Sequence, residues 1–527
     1  MQRRGVLMEE PHNHVVILGG GTAGWLTACL IAAEHGAAVS VTVVESPDIP
    51  IIGVGEGTWP SMRTTLQKIG ISERDLIRHC DASFKQGTEF IGWVSEHAPN
   101  RYYHPFSLPA DYASLNLAEH WLASELQQDF CSAVTPQAEI IRSSRAPKSL
   151  DVPEYAFQLN YGYHFDAAKL SELLSQHAVQ RLGVRHIPAN LREVALSENG
   201  AIRVLKLDRG DPISADMYVD CSGQRSLLLG GALGVSTVSM ADILPNDRAI
   251  VTQVPYTHPD EEIASATRSS AQSSGWIWDI GLQSRRGVGY VHSSAYISED
   301  EAHEVLGAYL EATQAPVALA DLKFRSIPFS PERREVAWRR NCVAIGLSAG
   351  FIEPLEASSI ALIEQAASRL CRVLPICEET LEQEAKRFNE QMSRQWRQVE
   401  EFLQLHYVLS QRDSDYWRDV RASEALLPSL KSNLQSWERH SVWHDDAPRY
   451  DELFPSASYQ YVLYGMAGRY HKPSAHRRSF QNQRSQADKA LHEVRQRTRN
   501  LMNLPGNRAL LNALRTDEAL SPREIVR

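Results

Sequence analysis

Two charged residues stand in segments that are otherwise apolar or turn-forming, and their types suit proton transfer or the guiding of a reactive species. Lys85 lies in Asp81-Ala-Ser-Phe-Lys85-Gln-Gly-Thr-Glu-Phe-Ile-Gly-Trp93, among Phe84, Phe90 and Trp93. On a surface it would be a solvated lysine beside core aromatics. In an apolar channel its ammonium would donate hydrogen bonds to a reactant, or burial would lower its pKa and free a nucleophilic amine. Glu356 lies in Gly350-Phe-Ile-Glu-Pro-Leu-Glu356-Ala-Ser-Ser-Ile360, a proline-bearing turn expected to end at a helix N-terminus, where the dipole stabilises a carboxylate. It reads as a helix-start acid or as a positioned base, a role that typically contributes ~10²–10⁴-fold to a rate.

Aromatic residues supply a second set. Trp276 and Trp278, in Trp276-Ile-Trp278-Asp-Ile280, are two apart, so on a strand both indoles share one face. They are either a pair of core aromatics or a wall of a site. His104 and Phe106, in Tyr102-Tyr-His104-Pro-Phe106, read as a loop histidine with a buried phenylalanine, or as an aromatic clamp with a group that orients a ring.

These residues need a scaffold, and its first unit is legible. His14-Val-Val-Ile-Leu18 is a short buried-strand run, followed by Gly19-Gly-Gly21-Thr22-Ala23-Gly24 and an apolar helical stretch from Trp25 to Ala33. In Gly-x-Gly-x-x-Gly the first glycine turns the chain, the second admits a pyrophosphate, and the third lets helix and strand pack closely. The helix N-terminus then faces the anion with free N–H groups. A second strand, Val39 to Val44, ends in Glu45, at about the ~20-residue spacing expected of the acid that binds a ribose hydroxyl. An acid there disfavours a 2′-phosphate, and with it NADP. Asn341-Cys-Val-Ala-Ile-Gly346-Leu-Ser348-Ala-Gly350 is a second strand-to-glycine turn entering a helix.

Further strands are expected at Ile202–Leu207, Met217–Asp220, Ala249–Val254, Val288–Ser293 and Cys342–Ile345. From Ser358 onward the pattern turns helical, with helices expected over Ile360–Cys371, Leu381–Ser410 and Gln486–Leu504. The fold class is therefore α/β: a Rossmann-like dinucleotide-binding module with mixed sheets over residues 1–375, and a mostly helical C-terminal region over 376–527.

The bulk numbers bound the alternatives. A chain of 527 residues, 43% hydrophobic and 22% charged, has the balance of a water-soluble globular protein, and no stretch approaches the ~18 apolar residues of a membrane span. The start, Met1 to Met8, is too short an apolar region for a secretory signal, so a cytoplasmic location is expected. A net charge of −10 argues against a nucleic-acid partner. The local basic run from Arg469 to Arg499 reads as a solvated helix face. Seven scattered cysteines with no CxxC and no His-rich spacing indicate no metal site and no disulfide framework, but reduced core thiols.

Taken in order, the glycine loop, Gly53-Val-Gly-Glu-Gly-Thr-Trp-Pro60, the Phe84-Lys85 segment, Tyr102 to Phe106, Trp276-x-Trp278-x-Ile280 and Glu353-Pro-Leu-Glu356 resemble the FAD-dependent halogenases of the tryptophan halogenase family, up to about residue 370. The resemblance implies FAD, used as FADH2 from a separate flavin reductase, with halide ion as co-substrate and a small aromatic substrate. It implies hypohalous acid guided by Lys85 and Glu356, halide at the backbone N–H groups of Ser358 and Ser359, and Trp276 and Trp278 separating flavin from substrate. It places His104 and Phe106 at the substrate ring, and Gly19, Gly21, Thr22, Ala23, Gly24, Glu45, Gly346, Ser348 and Ile360 at the cofactor. A homodimer is compatible with it.

Three departures stand out. Ser348 and its neighbours replace the aspartate of the Gly-Asp turn found in related flavoprotein hydroxylases, Ala357 replaces a serine after the glutamate, and Gly281 replaces a proline after the paired tryptophans. The region from Trp443 to Gly465, including Tyr459, Tyr461 and Tyr464, matches poorly to the segments that anchor free tryptophan. An indole, a substituted indole or another electron-rich aromatic is therefore the expected substrate, with chloride or bromide open. A flavin-dependent aromatic hydroxylase and a non-catalytic flavin-binding protein remain the other readings.

Overall fold

A computed structural model of the chain describes residues 13–49, 55–97, 100–124, 128–315, 318–422, 424, 426–447, 453–466 and 478–516. Gly53 and Val54, two positions of the Gly53–Pro60 motif, lie outside them.

The β-branched run after Asn13 forms the strand His14–Leu18 at the centre of a six-stranded sheet. It pairs in parallel with Ser40–Glu45 on one side and Met217–Asp220 on the other, and Cys342–Ala344 extends the sheet beyond the latter. Between the first two strands runs the helix Thr22–His35, buried from Gly24 to Ala32. Its apolar character all round has a cause: it is packed between the sheet and the helices Ala167–Arg181 and Ser358–Val373. This is the expected dinucleotide-binding unit.

A seven-stranded sheet forms the second layer. Its order is Arg325–Pro328, Arg248–Pro255, Arg285–His292, Gly275–Gly281, Thr267–Gln272, Gly87–Ile91, Arg101–Pro105. All neighbours are antiparallel except Thr267–Gln272 with Gly87–Ile91. A small antiparallel sheet of Gly55–Gly57, Gly162–Asp166 and Ser83–Lys85 completes the group that carries the chemistry-bearing residues. The expected α/β class with mixed sheets is what forms.

Among the described residues no strand follows Gly350–Phe351, and helices take over. The long helix Leu381–Val408 buries Phe388, Met392, Trp396, Val399, Phe402, Leu403 and His406, a three-and-four spacing that lays one stripe against the sheets. Element ends differ from expectation most at Arg478–Leu501, which begins eight residues before Gln486, because its first two turns are polar and carry little apolar periodicity. On it Arg484, Lys489, Arg495, Arg497 and Arg499 are exposed. The seven cysteines are unpaired, six of them buried and Cys377 exposed. No described helix is long and apolar enough to cross a membrane.

Candidate active site

The glycine loop keeps its geometry for a physical reason at each position. Gly19 has φ +120°, and a Cβ there would collide with the Cys221 carbonyl; a Cβ at Gly24 would collide with the Gly19 carbonyl. At Gly21 the direction of a side chain is open, with nothing within 4 Å. Gly21 is also the N-cap of Thr22–His35, which has no side-chain cap and no acid in its first turn. The first N–H groups of that helix are thus left to an outside acceptor.

Glu45 ends its strand beside Gly20 and pairs with His186 at 2.8 Å. Gly346, at φ +76°, lies so close to the first helix that a Cβ would come within 2.7 Å of the Ala23 Cβ. The two glycine turns therefore meet. Thr22 shares a 3.1 Å hydrogen bond with Ser171, and the Ser348 hydroxyl donates to the Asp220 carbonyl. Ile360, in the first turn of Ser358–Val373, is a core residue.

Glu356 is 4% exposed, and its Oε1 lies 2.9 Å from His104 Nδ1 and 3.1 Å from His406 Nε2. The second contact is off the hydrogen-bond direction. Beyond the rings, His104 Nε2 meets Ser458 Oγ at 2.9 Å and His406 Nδ1 meets Tyr102 OH at 2.7 Å. Since an ionised carboxylate only accepts, the His104 contact requires a proton on Nδ1, while the Ser458 hydroxyl can take either role toward Nε2. Burial raises the carboxyl pKa, but the charge and hydrogen-bond influence of His104, then of His406, outweighs it and holds Glu356 down at about 2. Both contacts fall on Oε1; Oε2 has no protein partner among the described residues.

The turn that presents Glu356 is anchored by its other glutamate. Glu353, 1% exposed, accepts from Tyr407 OH at 2.5 Å and from Asn246. Ala357 N then closes the turn on the Pro354 carbonyl at 3.0 Å, and Trp59 Nε1 donates to the Glu356 carbonyl at 2.8 Å. The helix begins at Ser358, whose hydroxyl is buried without a partner. Six residues further on, Glu364 accepts from Ser61 at 2.8 Å and from Thr65, and burial pushes its carboxyl up to about 7.

Lys85 is 1% exposed at the end of its strand, paired with Gly162. Its amine has no hydrogen-bond or ion-pair partner among the described residues, and it lies 5.5 Å from the centre of the Phe106 ring. Burial lowers its pKa to about 8, against the upward pull of the Glu356 charge. Gly57 connects this amine with the Glu356 turn. A Cβ at Gly57 would stand 3.0 Å from Lys85 Nζ and 3.4 Å from the Ala357 Cβ, so the missing side chain leaves the space between them open. Lys85 and the Glu356 turn, 271 positions apart by subtraction of their numbers, thus border one small volume.

Trp276 and Trp278 are buried on one strand with ring centres 6.2 Å apart, as period-two spacing requires. Trp278 lies across its neighbour strand at Gly289, where any Cβ would collide with the indole. Trp276 continues to Trp93 at 6.4 Å, and Trp93 reaches His406 at 5.9 Å, so the paired tryptophans and the Glu356 network are connected by packed rings. The departure at Gly281 has a local cause: Ile263 and the Tyr256 hydroxyl occupy the space beside it, 2.9 and 3.1 Å from a Cβ position.

The structure thus brings together Lys85, Glu356, His104 and Phe106, with Ser358 and Ser359 at the start of the adjoining helix. Sequence reasoning missed His406 and Ser458, and had Trp59 and Tyr102 only as members of the Gly53–Pro60 and Tyr102–Phe106 segments, without a role. A signal existed for His406: it is a polar residue on the apolar stripe of Leu381–Val408. Tyr459, Tyr461 and Tyr464 are buried; Tyr461 lies 6.3 Å from His104 between ring centres, whereas the Tyr464 hydroxyl serves the backbone of Val442.

The family model described as tryptophan halogenase matches residues 14–480. Among solved structures, a tryptophan halogenase from Shewanella frigidimarina NCIMB 400 superposes with a TM-score of 0.92 at 44% identity, covering 96% of this chain and 98% of that one. The tryptophan 6-halogenase SttH of Streptomyces toxytricini is 35% identical over 476 residues, 86% of this chain and 89% of that protein. The 7-chloro-L-tryptophan 6-halogenase KtzR of Kutzneria sp. (strain 744) is 34% identical over 474 residues, covering 86% and 90%. With a match over nearly its whole length, the chain belongs to the tryptophan halogenase family and is a flavin-dependent halogenase.

Proposed function

We propose that this enzyme halogenates an electron-rich, indole-like aromatic ring, with Lys85 and Glu356 as the catalytic pair. The observation that carries the reading is the space kept open by Gly57, bordered by an unpaired buried amine and by the turn of an ionised carboxylate. A buried lysine without an ion partner is costly to maintain and suits a site that must meet a passing electrophile.

FAD fits the scaffold. The open approach at Gly21, the uncapped helix start and the contact of Gly346 with Ala23 suit a pyrophosphate and the chain that follows it, held by Gly19, Gly21, Thr22, Ala23 and Gly24, with Glu45 and the Gly346–Ser348 turn beyond. Bound as FADH2, delivered by a separate reductase, the cofactor would supply hypohalous acid from oxygen and halide. Halide meets the N–H groups at Ser358 and Ser359, where the buried, unpartnered Ser358 hydroxyl offers a further donor. Trp276 and Trp278 divide this half of the site from the substrate half.

On the substrate side, Lys85 hydrogen-bonds the hypohalous acid and aims it at the ring. Phe106 packs against the ring, and the free Oε2 of Glu356 accepts the proton that leaves when the carbon–halogen bond has formed. Because His104 and His406 hold the carboxyl near pKa 2, the proton is passed on rather than kept. The helical C-terminal region contributes His406 and Ser458 behind the carboxylate and Tyr461 beside it. The substrate is a small aromatic of the indole class.

The test is a mass-spectrometric screen of indoles and phenols with FAD, a flavin reductase and bromide and chloride in competition. Halogenated product supports the reading. Hydroxylated product would move it to an aromatic hydroxylase, and no product across the panel would leave only flavin binding.

A further inference from the structure

The Glu356 carbonyl lies outside the helix that follows it, and among the described residues its hydrogen-bond donor is the indole N–H of Trp59. The next residue, Ala357, has φ +54° and ψ +41° and serves as N-cap with no side-chain hydrogen bond. A residue with a Cβ pays sterically for that left-handed conformation, and alanine has no polar group to offset it. The turn must therefore be held from outside. Pro354 holds one end through the Ala357 N–H, and Trp59 holds the peptide between Glu356 and Ala357.

That peptide is the junction of two functions. Before it stands the Glu356 side chain, fixed on His104; after it come the N–H groups of Ser358 and Ser359 and the Ser358 hydroxyl, which is 1% exposed and unpartnered. Rotation of this one peptide would turn the helix start away while leaving the Glu356 carboxylate on its histidine. Trp59 itself is half-buried, its ring packed edge-on against Phe454 at 5.0 Å. It comes two residues after Gly57 and is fixed by the same backbone.

We propose that Trp59 is the positioning residue for halide: its indole N–H holds the left-handed Ala357 turn in place and so aims the Ser358 and Ser359 donors. This rests on the reading that halide binds at those donors. Trp59→Phe keeps an aromatic ring against Phe454, removes the hydrogen bond and leaves a smaller side chain. Losing one hydrogen bond to a carbonyl predicts a rise in the bromide KM of about ten-fold or somewhat less, with kcat at saturating bromide and the KM for the aromatic changed less than about two-fold. Ala357→Gly added to Trp59→Phe restores the bromide KM, because glycine takes the left-handed conformation freely.

A second readout needs no turnover. Crystals soaked in graded bromide give the anomalous occupancy at the Ser358–Ser359 turn, which should require about ten-fold more bromide in Trp59→Phe than in wild type, and wild-type levels again in the double variant. Equal bromide dependence in wild type and Trp59→Phe, no restoration by glycine, or no bromide at the turn in wild type each overturns the role of Trp59. A wild-type enzyme that yields no halogenated product overturns the halogenation reading instead, and the bromide titration still decides on Trp59.

Discussion

His104 and Glu356, 252 residues apart in the chain, meet through Nδ1 and Oε1 at 2.9 Å. This contact decides the charge of the site. A carboxylate taken out of water on its own would be pushed toward its neutral acid. Here an imidazole N–H on Oε1, oriented by Ser458 behind it, reverses the sign and keeps the group ionised to about pH 2.

Removing that imidazole tests the point. With His104→Ala the Glu356 pKa should rise from about 2 past its ordinary 4.5, since burial stays and the main opposing influence goes. The acid limb of kcat/KM then moves upward into the range above pH 4.5. The stability that ionised Glu356 contributes is complete above about 4.5 and lost as pH falls toward 2 in the wild type; in the variant, with the folded pKa above 4.5, the sign inverts and the buried carboxylate costs stability as pH rises from about 4.5 through that pKa. Glu356→Gln should lower kcat by ~10²–10⁴-fold at all pH values.

Lys85 has the opposite linkage. Its folded pKa, about 8, is below its ordinary 10.5, so the buried ammonium works against folding at neutral pH and stability rises between about 8 and 10.5. Lys85→Met should therefore stabilise the protein at pH 7 by about 1–3 kcal/mol in urea denaturation while abolishing halogenation. As a hydrogen-bond donor the wild-type ammonium predicts a rate that falls above about pH 8. A rate that instead rises through that pH assigns the chemistry to the free amine and a haloamine.

Gly57→Ala adds one methyl 3.0 Å from Lys85 Nζ and 3.4 Å from the Ala357 Cβ. The lysine end can shift by a few tenths of an ångström, so folding should survive, with a change in melting temperature of only a few degrees. Halogenation should fall by about ten-fold or more, because a misplaced reacting group is costly in rate. Flavin affinity, measured by fluorescence quenching, is expected to stay at the wild-type value.

At Gly289 the expected loss is of stability. A Cβ there collides with the Trp278 indole, which lies across that strand, and neither strand of the antiparallel pair can move alone. Gly289→Val should destabilise the protein by about 1–3 kcal/mol in urea denaturation. Pairing it with Trp278→Ala should recover part of that loss.

How much of this was legible differs by scale. The Gly19–Gly24 loop, the strands flanking it and the helical character after Ser358 were all readable, because glycine spacing and apolar periodicity are local signals. Lys85 and Glu356, each by itself as readily a surface lysine or a helix-start acid, were readable as candidates because the order of motifs around them resembles the halogenases. The network around Glu356 was not. His406 carries only the faint mark of a polar residue in an apolar stripe, Ser458 carries none, and Trp59 reads as one more aromatic beside a proline. Their roles exist through pairings across hundreds of residues, which no window along the chain contains. The departure at Gly281 could be seen but not explained until Tyr256 and Ile263 were found beside it.

The carboxylate of Glu356 is met by imidazoles at 104 and 406, with a hydroxyl at 458 behind the first, so the first and the last quarter of the chain both supply its frame. A reactive centre closed from so many places cannot be transplanted as a loop or kept in a fragment. Truncation before Ser458 would remove the support behind His104, and truncation before His406 an imidazole as well, before either touched the flavin-binding end. For engineering, this means new specificity has to be sought in the walls around Phe106 and Tyr461, with the histidine frame left as it stands.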